Sequence, residues 1–121
     1  MYRIGKLATA LGVCLAGICE PVMAHHSFAM FDRTKTSELK GVTVAQFEWA
    51  NPHVYVVVQS GQATYTLECG SPSNMSQGGW KFNTLKIGQK INVVFFPLRN
   101  GKPGGALKTA ILPDGQKFEA W

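Results

Sequence analysis

At 121 residues the chain has room for one domain and not for two. Aromatic and β-branched residues continue to the last position, Trp121, so no long stretch has the composition of a disordered tail. The formal net charge of +5 is spread over lysines that fall singly, with no basic run interleaved with aromatics, and this argues against nucleic-acid binding.

The first segment reads as a signal peptide. Arg3 and Lys6 form a positive start, Leu7 to Ile18 is an uncharged apolar run, Pro21 breaks it, and Val22-Met23-Ala24 supplies a cleavage site, expected after Ala24. The run of about 12 residues falls short of the roughly 20 that a membrane span needs. Cys14 and Cys19 follow Val13 and Ile18, where lipid attachment requires a small residue, so no stable membrane anchor is expected after cleavage. The expected location is periplasmic or secreted. The expected organisation is a signal peptide over 1–24, an N-terminal arm over 25–38 and a β-barrel domain over 39–121. Cys69 is then the one cysteine left, and it has no partner for an internal disulfide.

The mature chain opens with His25-His26-Ser27-Phe28-Ala29-Met30-Phe31-Asp32, which has no clean period and reads as an extended arm with Phe28, Met30 and Phe31 available for packing. A first strand is predicted from Leu39 to Trp49. Val42 and Val44 share one parity, Ala45, Phe47 and Trp49 the other, and the switch predicts a β-bulge near Val44-Ala45. Asn51-Pro52 marks a turn. A second strand runs from His53 to Gln59, rich in valine, and Ser60-Gly61-Gln62 is a hairpin connection. In the third strand, Ala63 to Cys69, strict alternation puts Ala63, Tyr65, Leu67 and Cys69 inside and Thr64, Thr66 and Glu68 on the wet face.

Ser71 as a cap and Pro72 at the first helical position predict a short helix near Pro72 to Gln77, ended by Gly78-Gly79, with Trp80 packing down as a plug. A fourth strand is predicted over Gln89 to Phe96, a fifth over Ala106 to Leu112, and a short last strand over Lys117 to Trp121 after the Pro113-Asp114-Gly115 turn. The fold class is all-β: a small OB-like barrel of five or six strands with one short helix between the third and fourth. A bent first strand suits closure of a small barrel. A sandwich would need more strands than the chain supplies.

Several of these stretches together resemble a known family. They are the mature start His25 to Asp32; Leu39 to His53 with Phe47, Trp49, Asn51, Pro52 and His53; Gly70-Ser71-Pro72 followed by Gly79-Trp80; Leu85 to Gly88; and Pro103 to Leu107. The sequence resembles a group of small secreted bacterial proteins catalogued as a domain of unknown function. The resemblance implies a bacterial source, export and a compact β-barrel. It implies no reaction, and it assigns no role to Cys69.

The chemistry with most content is created by processing. Cleavage after Ala24 leaves a free amine on His25, which can chelate a metal together with its own ring nitrogen. A third nitrogen, from His26 or His53, completes a set that suits copper(II), with nickel or zinc behind. The competing reading is that these histidines are solvated or hydrogen-bond the turn. Trp49, Asn51, Tyr55 and Trp80 are candidates for a ligand groove, against core packing for the tryptophans. Glu48 and Glu68 are set at no catalytic separation. Cys69, pointing inward, reads as a small core residue rather than a nucleophile.

The leading function is therefore a periplasmic metal-binding protein using His25, His26 and His53, with copper first. The alternative is an OB-type module of the envelope that binds a small ligand or another envelope protein without metal. An enzyme comes last, because no motif assigns a reaction.

Overall fold

The computed structural model describes residues 26–121; the expected signal peptide and His25 lie outside the described residues. In chain order the elements are α1 (His26–Ala29), β1 (Ser37–Glu48), β2 (Tyr55–Ser60), β3 (Ala63–Glu68), α2 (Pro72–Gln77), β4 (Lys90–Pro97), β5 (Gly104–Ile111) and β6 (Lys117–Glu119). The sheet order is β3-β2-β1-β4-β5-β6, and a further parallel pairing of β3 with β5 closes the first five strands into a barrel. This is the OB-like arrangement that the strand–helix order predicts, with β6 added at the edge of β5.

Local sequence signals account for most of this. The β1–β2 register shifts between Val44 and Gln46, so the bulge falls at Ala45, and the inward residues change from Val42 and Val44 to Phe47 and Trp49. A second irregularity lies between Leu39 and Val42 against β4, where the Gly41 amide donates to the side chain of Asn92 at 2.8 Å. The β2–β3 hairpin turns at Gly61, whose φ of 58° suits the first position of a tight two-residue turn. Ser71 caps α2 by accepting from the Asn74 amide at 3.2 Å, and Pro72 begins the helix.

The core is one cluster. Val44, Val54, Val56, Val58, Leu67, Val93 and Leu107 fill the barrel, while Met75 and Trp80 plug it from α2 and the loop beyond. Trp80 is 1% exposed and its indole N–H donates to the carbonyl of Glu119 at 2.8 Å, so the buried polar atom of the plug is satisfied. Barrel closure depends on small residues. Gly104 and Gly105 stand in parallel register with Thr66 and Leu67, and a Cβ on Gly105 would overlap the carbonyl oxygen of Phe96.

The two ends of the described residues meet on the outside of the barrel. The arm is not fully extended: α1 is one helical turn, after which Phe31 bridges to Leu98 and the Asp32 amide donates to Pro97 at 2.8 Å. Arg99 fastens this arm, its backbone amide donating to Met30 and its side chain to Ala29. Phe31 is buried, but Phe28 and Met30 stay about half exposed. At the other end Ala120 donates to Lys108 and accepts from Gly70, which sets Trp121 beside Phe28 with ring centroids 5.0 Å apart.

Candidate functional site

His53 stands at the mouth of the β2–β3 pair. Beyond the strand ends the ladder continues by two backbone bonds, Val54 to Gly70 and Cys69 to Val54, so the chain at His53 is held rather than free. The His53 Nδ1 lies 2.9 Å from the carbonyl oxygen of Cys69. A carbonyl only accepts, so Nδ1 carries the proton and donates. In the neutral ring the lone pair is then on Nε2, which lies 3.7 Å from a carboxylate oxygen of Glu68.

Glu68 corrects the parity reading. Its side chain does leave the outer face of β3, yet the residue is only 8% exposed. Barrel closure explains this: Glu68 has Tyr55 of β2 on one side and Ala106 of β5 on the other, and the His53 ring stands by its carboxylate. Burial pushes its carboxyl above the ordinary carboxylate range, opposed by attraction to His53. The same burial, then the charges of Glu68 and Glu48, push the Tyr55 hydroxyl up. The Cys69 thiol is driven up by complete burial, so this sulfur is a core atom and not a nucleophile at neutral pH.

Nε2 of His53 and the Glu68 carboxylate form a two-donor set. One ion at metal–ligand distances of roughly 2.0–2.2 Å can bridge donors 3.7 Å apart. The bond from Nδ1 to the Cys69 carbonyl is the outer-shell contact that orients ligating histidines. Among the described residues no group of three His, Cys, Asp or Glu side chains converges, so a third donor has to come from elsewhere. The arm leads to this place. Trp121 packs against the His53 ring at 5.9 Å and against Phe28 at 5.0 Å, and Phe28 is two residues after His26. His26 is the first residue of α1; His25 lies outside the described residues.

The four residues put forward for a ligand groove do not gather into one. Trp80 is shut in the core; Trp49 is half-buried and packs edge-on against Phe47 at 5.9 Å; Tyr55 is half-buried on β2; Asn51 is exposed in the turn before His53. Among the described residues, two surface grooves take no wall from these four. The larger runs along the outer face of β4, β5 and β6, walled by the arm and Trp121. The sequence signal for it was the apolar arm and the aromatic last residue, neither of which alone says where the two dock.

The match to known families decides the grouping. A family profile described as "Family of unknown function (DUF6152)" covers residues 13–108. The chain belongs to this family. No curated protein and no solved structure matches it. Membership in DUF6152 agrees with the expected grouping with a domain of unknown function, and His53 and Glu68 both fall inside the matched span.

Proposed function

We propose that this DUF6152 protein is an exported metal-binding protein, with copper the first metal, that closes a site between its processed N-terminal histidine and His53. The observation that carries this reading is the pair of contacts on one ring: Nδ1 of His53 donates to the Cys69 carbonyl while Nε2 stands 3.7 Å from the Glu68 carboxylate. That leaves one nitrogen of known orientation beside an anionic donor. The docked arm supports the rest, since Phe28 and His53 both pack on Trp121 and the histidines stand just ahead of Phe28. In this reading the amine and ring of His25 chelate the ion, Nε2 of His53 completes three nitrogens, and Glu68 lowers the cost of a divalent charge in a half-buried place.

The test is copper(II) titration of protein that begins at His25, followed by calorimetry and by the copper electron spin resonance spectrum. Acetylation of the His25 amine turns it into an amide with no new amine to replace it, and affinity should fall at least about tenfold with loss of a nitrogen ligand. His53→Ala should weaken binding and change the spectrum; if only His26 supplies the third nitrogen, it will not. Equal affinity and spectra for the processed and the acetylated proteins overturn the proposal.

A further inference from the structure

We infer that the groove on the outer face of β4, β5 and β6 is a binding site for a small, flat, apolar carboxylate. The groove has a volume of about 350 Å³, within the lower part of the range for small-molecule sites. It needs no metal, and neither His53 nor Glu68 lines it; Trp121 and Phe28 are the residues it shares with the contacts that lead from the arm to His53.

Its walls and its charges point to one ligand chemistry. Phe28 and Phe31 come from the arm, Phe96 from β4, and Trp121 from the chain end. Ala106 forms the floor opposite Phe96, and its short side chain is what leaves the space. Two cations stand over this aromatic lining. The Arg33 guanidinium lies 5.6 Å from the Phe28 ring and 5.9 Å from the Phe96 ring, and the Lys108 ammonium lies 5.9 Å from Phe96 on the same groove. Among the described residues neither cation has a carboxylate within ion-pair distance; the close pairs are Lys35 with Asp32 and the His53 ring with Glu68. The one acid in the groove, Glu119, already has both oxygens accepting from the Thr109 hydroxyl at 3.1 Å.

An apolar ring can therefore lie against the aromatic walls while its carboxylate reaches Arg33 and Lys108. Arginine is suited to this because its planar fork can hold a carboxylate by two parallel bonds and still stack on an aromatic face. A neutral ligand of the same shape keeps the stacking and loses the charge-assisted bonds. A cationic one meets two like charges.

The test uses 2-naphthoate as probe, with 2-naphthalenemethanol and 2-naphthylmethylammonium as neutral and cationic controls of the same shape. Protein that begins at His25, kept metal-free with a chelator, is titrated while amide and methyl shifts are followed by nuclear magnetic resonance. Saturable shifts are expected at Ala106, Lys108 and Phe96 for the naphthoate, with the alcohol at least about tenfold weaker and the ammonium weaker still. Arg33→Gln combined with Lys108→Gln should bring naphthoate down to the level of the alcohol. Both side chains are on the surface and their replacement leaves the core intact. Ala106→Val, which narrows the floor, should weaken all three probes together. Equal binding of the three probes, naphthoate binding that survives the double substitution, shifts that map elsewhere, or no saturable shift at ~1 mM probe each overturn the inference.

Discussion

The ring of His53 is tied at Nδ1 to the carbonyl oxygen of Cys69, 2.9 Å away, and Cys69 is the residue directly after Glu68. One stretch of backbone therefore fixes both the tautomer of the histidine and the place of the carboxylate beside its free nitrogen. An arrangement of this kind does not depend on the arm.

The buried carboxylate has a consequence for stability. Burial raises the Glu68 carboxyl above its ordinary value. A group raised on folding stabilises the fold below its unfolded value, roughly 4, and that contribution is lost as pH rises through the folded value. Glu68→Gln removes the charge but keeps the shape. In metal-free protein its melting temperature at pH 7 should exceed that of the parent by a few degrees, up to about 1 kcal/mol, and the gap should close below about pH 4. A lower melting temperature for the variant at pH 7 contradicts this account.

Cys69 offers a direct check on the register of β3. It is fully buried and its thiol is pushed up, with only a weak contact to the Leu67 carbonyl at 3.8 Å. The folded protein should react with a thiol reagent orders of magnitude more slowly than the unfolded chain. Cys69→Ala should cost about 1 kcal/mol in chemical denaturation, the scale of a small core truncation, and leave metal affinity unchanged. Rapid labelling of the native protein places the sulfur outside and reverses the assignment of faces.

Much of the barrel is legible in local signals. Val42 and Val44 against Phe47 and Trp49 announce the bulge at Ala45, and Ser71-Pro72 announces α2 at Pro72–Gln77. Tyr65 and Leu67 follow the predicted alternation, Tyr65 half-buried and Leu67 completely so. What the sequence conceals is set by distant partners. Glu68 reads as wet because parity counts faces and not neighbours; it is buried because β5 closes on β3 in parallel. Phe28 and Trp121 stand 93 positions apart by their numbers in the chain, and no period links them, yet their rings touch. Trp80 was legible as a plug, and its place in the core removes it from any open groove.

The closure itself rests on a close approach. Gly105 lies opposite Pro97 on β4 and beside Leu67 on β3, and an added Cβ would run into the Phe96 carbonyl and the Phe95 ring. These are backbone and core atoms and cannot move aside. Gly105→Ala should destabilise the fold by about 3 kcal/mol or more, by parting β5 from β4 or from β3. Denaturant melts provide the magnitude, and hydrogen exchange at Leu67 and Glu68 should rise more than at Val56. A substitution that costs less than about 0.5 kcal/mol means that the strands are not held at this distance.

Trp121 joins the metal reading to the architecture. Its indole packs on both Phe28 of the arm and His53 of the barrel, at 5.0 and 5.9 Å. It is 43% exposed, so its removal should cost the fold modestly, about 1 kcal/mol or less. Its effect on the arm should be larger in proportion. Asp32 and Phe31 keep their own bonds to Pro97 and Leu98, whereas Phe28 loses its aromatic partner. Trp121→Ala should therefore raise proteolytic cutting ahead of Phe31 without exposing the barrel. If the N-terminal histidines complete a copper site with His53, the same substitution should weaken copper binding about tenfold while leaving the ligands in place, because the arm must be ordered anew at each binding event. Trp121→Phe should restore most of both properties. Loss of copper affinity in Trp121→Ala with unchanged arm proteolysis would place Trp121 in contact with the metal site itself rather than as the brace of the arm.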